Sequence, residues 1–388
     1  MLYTGRFLAI SLICFFTTSN VGAFFLFPVF VADRGGTAAD IGYIMGAFFL
    51  AAVLSRPLIS AVINRFGRKP AYAIANLLMM IASLSYLFFS GRLENFYLPL
   101  LVVRAVHGVS SGFAFTAGFT YVADIVPENR MNEGIGMFGA SGLLGLALGP
   151  VAAELIIRQF GFSACFIAAA AAPAVGLLFL FFLPESYVHD RSQGVDSFVT
   201  LLRRSKIFIV ALLILILGIG MASSNSFVAL FAQSRGISFV SPYFVAYSAS
   251  AIVVRFLGGR LADMVGETRV IPYAIFFCGF GLILLVFVNS VAFLLLSGLI
   301  SGAAHGMLYP CLNTIAVRNE PAGLRAKILA IVTGSFDLGL FAGAIVLGQI
   351  GEFLGFPALF LTAGMTFFVG LAIIRVYPLK TTGEVVRS

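Results

Sequence analysis

The feature that most constrains this chain is a succession of apolar runs, each about 20 residues or longer, separated by short breaks of Gly, Pro and charge. A run such as 97–122 is more than twice the ~10 residues of a membrane barrel strand and lacks its alternation. It has the length an α-helix needs to cross a bilayer core. The breaks divide the chain into twelve spans, about 6–32, 38–63, 70–90, 96–125, 134–157 and 162–183, then 206–232, 241–262, 270–289, 291–317, 326–351 and 357–377. Of the 388 residues, 60% are hydrophobic and 10% charged, against about 25% charged in soluble domains. The expected fold is therefore an all-α membrane protein with 12 transmembrane helices and no sizeable soluble domain.

The first apolar run, 7–32, is too long for a signal peptide and is expected to be a retained membrane helix. The only long polar stretch, 184–206, reads as a linker between two six-helix bundles. The expected organisation is a first bundle over 1–184, a linker over 185–205, a second bundle over 206–378 and a tail over 379–388. In a soluble chain, a net charge of +8 would point to nucleic acid. Here the loops explain it: with both termini and the linker on one side, 17 Lys and Arg fall on that side and four on the other. That bias places the termini and linker in the cytoplasm. Cys14, Cys165, Cys278 and Cys311 all lie inside spans, without C-x-x-C spacing, and read as small buried residues.

The two sets of six spans repeat. Arg56, Asn64 and Gly67 recur as Arg255, Asp263 and Gly266 at an offset of 199. His107-Gly108 recurs as His305-Gly306 at 198, and the turns Phe160-Gly161-Phe162 and Leu354-Gly355-Phe356 match at 194. Polar clusters Thr17-Thr18-Ser19-Asn20 and Ser223-Ser224-Asn225-Ser226 sit in the first and seventh spans.

At these residues the whole chain resembles the major facilitator superfamily. The loop after the second span, with Asn64, Arg65, Gly67, Arg68 and Lys69, is similar to that superfamily's G-x-L-A-D-R-x-G-R-K signature. It departs from the pattern with Ser60 for Gly and Asn64 for Asp. Arg104-Ala-Val-His107-Gly108-Val-Ser-Ser-Gly112 resembles the R-x-x-x-G-x-x-x-G of the fourth helix, and Gly145, Gly149 and Pro150 resemble a motif of drug:proton antiporters. That motif continues with paired Gly, where this chain has Ala153 and Glu154. The resemblance implies a secondary transporter of the inner (plasma) membrane, working by alternating access on a small-molecule substrate. It also implies that the signature loop helps hold the cytoplasmic ends of the second and eleventh helices together, and Asp124 and Arg130, flanking the loop after the fourth span, are expected to pair with it.

Charges inside spans are costly and mark a pathway or a pair. The candidates are Arg56, Arg104, Arg255 and Asp337, with His107 and His305 as titratable neighbours. Asp337 lies near the midplane, and Arg255 on the eighth span is its expected partner within the second half. Arg56 is left without an evident acid, because Gly142 or Leu143 stands at the matching place in the fifth span. Asp337 is expected either to carry a proton, with Arg255 controlling it, or to form a permanent ion pair. His107 and His305 either titrate or hydrogen-bond a substrate, or else hold neighbouring helices. The same two alternatives, substrate contact or helix glue, apply to Asn20 and Asn225. Arg104 meets an anionic substrate group or snorkels outward. Glycines at 139, 142, 145, 149, 339 and 343 suit close helix packing.

No Gly-rich phosphate loop ending in Lys-Ser/Thr, metal-ligand cluster or nucleophile triad occurs, so no enzyme activity, metal or cofactor is expected. Proton-coupled efflux of a small organic solute by a monomer is the favoured expectation. Uptake or facilitated diffusion of a sugar or organic anion is the alternative, with the arginines as anion contacts. A membrane scaffold or enzyme is the third.

Overall fold

The computed structural model describes residues 3–127, 130–186 and 198–378; the side chains of 132, 258–264, 322, 323 and 326 lie outside that description. Every regular element among the described residues is helical. The elements are α1 (Gly5–Ala32), α2 (Ala38–Phe66), α3 (Arg68–Phe88) and α4 (Tyr97–Ile125), then Met131–Phe181, which turns at Gly161 into α5 and α6. They continue with α7 (Ser205–Ser234), α8 (Ser241–Val265), α9 (Glu267–Phe287), α10 (Val291–Val317) and Ala322–Val376, which turns at Gly355 into α11 and α12. Nine of these stretches are long and apolar enough to cross a membrane, two of them about twice over, and α8 has a shorter apolar part, Ser241–Leu257. The twelve expected spans are therefore present as helices. Helices satisfy their backbone polar groups internally, which hydrocarbon demands.

The turns follow the repeat. Gly67 and Gly266 adopt φ of 98° and 94°, and each is followed at once by the next helix. Gly161 and Gly355 do the same at 79° and 81°. Glycine adopts this left-handed backbone without steric cost, so these positions reverse the chain in minimal length.

Close packing is built on small residues. A Cβ at Gly145 would lie 2.5 Å from the carbonyl of Phe15, and one at Gly149 would lie 2.3 Å from that of Ser19, so α5 rests directly on α1. The corresponding contact of α11 on α7 has Gly339 facing the carbonyl of Leu215 at 2.2 Å. The motif glycines Gly145 and Gly149 thus act in packing, with Pro150 against Gly22 beside them.

The bundle has a linker end, carrying the N-terminus and the start of α7, and a distal end, where α1 meets α2. The first and second halves are joined at the distal end by two carboxylates. Glu154 of α5, 5% exposed, accepts from the backbone N–H groups of Val240 (2.7 Å) and Ser241 (2.8 Å) at the start of α8. Glu352 of α11 accepts from Ala38 N at the start of α2, at 2.9 Å. Each half therefore caps a helix of the other, with an anion on a helix N-terminus. The two residues are 198 apart, the offset of the histidine pair, and Glu154 falls where the sequence departs from a glycine motif. Phe25 stacks on Phe244 at 5.1 Å, and Gly42 approaches the carbonyl of Ala344 so closely that a Cβ would lie 2.5 Å away.

At the linker end, Arg68 pairs with Asp124 at 2.9 Å, as expected. Arg130 pairs with Glu133 of its own helix at 2.6 Å, because three residues of helix bring that carboxylate nearer than the loop. Glu185 accepts from the backbone N–H groups of Arg68 and Lys69, so the start of the linker caps α3. In the second half the charges are reversed: Glu267, next to Gly266, pairs with Arg318 of α10. The Asp263 side chain, residues 187–197 of the linker and the tail 379–388 lie outside the described residues.

Removing one distal cap unseals that end. In a Cys14→Ser background with cysteine at Asn225, Glu154→Ala is expected to raise labelling by a membrane-impermeant maleimide added from the distal side several-fold. Unchanged labelling would contradict the capping role.

Candidate functional site

Between the halves lies a cavity of about 300 Å³, lined mainly by apolar side chains, with Phe24, Phe25, Phe48 and Phe49 on the first half and Tyr243, Phe244 and Phe336 on the second. The distal seal closes one end. Phe115, which also lines the cavity, is 51% exposed and lies towards the linker end of α4.

Four ionic side chains reach this space: Arg56, Arg104, Arg255 and Asp337. The expected Arg255–Asp337 pair is not formed. Asp337 pairs instead with Arg56 of the opposite half, which also donates from Nη1 to Thr333 Oγ1 at 3.0 Å. Arg56 projects from α2 across the gap to α11, so proximity within one half was the wrong criterion. Burying a lone carboxylate or guanidinium is expensive, and the pair lets each offset the other's desolvation.

Arg255 is the repeat mate of Arg56, and it also reaches across the gap. Its Nη1 lies 3.4 Å from where a Cβ would stand on Gly139 of α5. Among the described residues no carboxylate pairs with it, and its Nε is buried without a hydrogen-bond partner. Gly139 is 198 residues before Asp337, so it occupies the matching position. The expected match at Gly142 or Leu143 was one helical turn off. Seven residues separate Glu154 from the Gly161 turn, against three between Glu352 and Gly355, so counting back from the turn shifts the register by four.

Arg104 neither snorkels nor pairs. It is 2% exposed and sits among Phe24, Phe27 and Phe48, with its guanidinium carbon 5.5, 4.9 and 4.8 Å from the ring centres. Nη2 donates to Met45 Sδ, a weak acceptor, at 3.0 Å, while Nε and Nη1 have no partner. Cation–π contacts of about 0.5–2 kcal/mol each offset only part of the cost of such a charge.

The remaining polar candidates separate cleanly. Asn20 is fully buried inside the first half, donating to Ser83 Oγ (2.8 Å) and the Ala169 carbonyl (2.7 Å), with its Oδ1 2.9 Å from His107 Nε2. It joins helices and does not line the cavity. Thr17, Thr18 and Ser19 bond back to carbonyls of their own helix, which explains how a polar cluster is tolerated there. Asn225 does line the cavity. His107 also lines it, held at 3.4 Å from Tyr86 Oη as well as by Asn20, and His305 is bonded to Tyr247. Sequence reasoning missed Glu154, Glu352, Thr333 and the role of Gly139. The offset of 198 could have found three of these four.

Two six-helix halves, a shared cavity with buried charges and a seal at one end define the architecture of a membrane transporter. The chain belongs to the Major Facilitator Superfamily, whose profile matches residues 8–263 and 243–387. It is therefore an integral membrane secondary transporter and not an enzyme. It is 25% identical over 378 residues to the multidrug resistance protein MdtG of Escherichia coli, covering 92% of this chain and 90% of that protein. It is 24% identical over 355 residues to an uncharacterized MFS-type transporter of Methanocaldococcus jannaschii, covering 87% and 89%. Its fold is similar to that of a mutant form of the nucleoside transporter NupG (TM-score 0.80, 16% identity, 96% and 100% covered) and of a D-xylose-proton symporter (0.78, 17%, 97% and 98%).

The two asparagines should respond differently to substitution. Asn20→Leu leaves buried groups of His107, Ser83 and Ala169 unpaired and is expected to cost about 1–3 kcal/mol. Asn225→Leu should change stability by less than about 0.5 kcal/mol. Thermal unfolding of the purified protein checks both, and equal effects would contradict the assignment.

Proposed function

We propose that this transporter exports a small organic solute from the cytoplasm in exchange for protons. The observation that carries the proposal is the Arg56–Asp337 pair, an ionisable bond that joins the two halves inside the cavity. With the carboxylate ionised, attraction draws α2 and α11 together on the linker side. A proton on Asp337 removes that attraction and lets the linker side open. A cycle follows: the solute-loaded, deprotonated protein closes at the linker end, releases its load distally, takes a proton there, reopens at the linker end and gives that proton to the cytoplasm as it reloads.

The excess of Lys and Arg on the linker side supports a cytoplasmic position for that end, in the inner (plasma) membrane. Similarity to MdtG, a multidrug resistance protein, and the Gly145/Gly149/Pro150 run support export. The fold needs no second copy to form its cavity, which supports a monomer.

The proposal is tested by comparing intracellular and extracellular metabolites of cells lacking the protein, cells overexpressing it and cells overexpressing Asp337→Asn. A solute enriched outside with the wild type, reduced at least tenfold by Asp337→Asn at equal expression, is the expected outcome. Enrichment inside would reverse the direction, and full activity of Asp337→Asn would remove the proton role.

A further inference from the structure

The repeat makes a definite demand that the chain does not meet. Arg56 and Arg255 are equivalent, both cross the gap between halves, and both arrive at equivalent positions of the facing helix. On one side that position is Asp337, and on the other it is Gly139. Three guanidiniums and one carboxylate line the cavity, and the carboxylate is taken by Arg56. Arg104 and Arg255 are left facing the cavity with buried N–H groups unsatisfied and no carboxylate paired with either among the described residues.

From this we infer that the transported solute is an organic anion whose carboxylate or similar oxyanion lies against the Arg255 guanidinium, beside Gly139. There it takes the place that Asp337 holds against Arg56. The inference rests on the transport function proposed above and names the substrate class of the same cavity. Glycine lets the guanidinium reach this face of α5, with Arg255 Nη1 3.4 Å from the Cβ position at 139, in ordinary contact with it. A guanidinium fits an oxyanion through paired N–H donors in a fixed fork. Arg104 is the second cation, held against Phe24 and Phe48, whose rings also line the cavity and suit the apolar body of the solute. Export of an anion is also favoured by an interior-negative membrane potential.

The test uses purified full-length protein and three probes with one ring system and different charge: 2-naphthoate, 2-naphthamide and 2-naphthylmethylammonium. Their dissociation constants are measured by calorimetry in the absence of any gradient. Naphthoate is expected to bind the wild type at least tenfold more tightly than either of the others. Gly139→Asp, which supplies the missing carboxylate internally, should abolish that preference, as should Arg255→Gln. Gly139→Asn, of the same size but uncharged, should weaken all three probes and keep the preference.

Equal or tighter binding of the amide or the ammonium overturns the inference, as does no saturable binding of naphthoate. So does a preference that survives Gly139→Asp or is lost equally in Gly139→Asn. Because no gradient is applied, failure here leaves proton-driven export standing, whereas failure of export with the preference intact removes only direction and coupling.

Discussion

A charge at membrane depth has to be compensated by something in the protein or by its cargo, and this requirement organises the molecule. The Arg56–Asp337 pair meets it across the gap between halves, so the ion pair among the described cavity residues is also a tie between the two halves. At the distal end the same principle takes a different form. Glu154 and Glu352 are anions answered by helix N-termini of the opposite half, which closes that end without a cation. Three inter-half attachments thus use carboxylates, each accepting donors that only the other half can provide.

Duplication explains both the symmetry and its breaks. The glycine turns, the histidines and the distal glutamates recur at nearly constant offsets, and α5 lies on α1 as α11 lies on α7. The breaks concern charge. Asp337 has Gly139 as its counterpart, and the loop charge changes sign from Arg68 to Glu267. A perfectly repeated cavity would carry two neutralised arginines. The broken repeat keeps one ion pair across the gap and leaves Arg255 with no carboxylate paired with it among the described residues.

The helices and their twelvefold division were legible in the sequence because membrane spans are set by length and apolarity, which are local properties. The repeat and the Arg68–Asp124 contact were legible for a similar reason, since matching loops announce themselves by glycine and charge. Partnerships at the site were not. Which half Asp337 faces depends on how the halves pack, and Arg255 lies nearer in the chain than the partner actually used. Asn20 and Asn225 sit in similar polar clusters, yet the helix face that carries each one separates scaffold from cavity. Glu154 looked like a missing glycine until the start of α8 was placed against it.

The most direct test of the account is the distance between the linker ends of α2 and α11 as Asp337 changes charge. Spin labels at Phe66 and Leu329, on a background with the four cysteines replaced, report it by double electron–electron resonance. The account predicts that lowering the pH shifts the wild type towards longer distances, that Asp337→Asn adopts the long distance at all pH values, and that Arg56→Gln does likewise. A distance distribution that responds to pH in Asp337→Asn as it does in the wild type would contradict it.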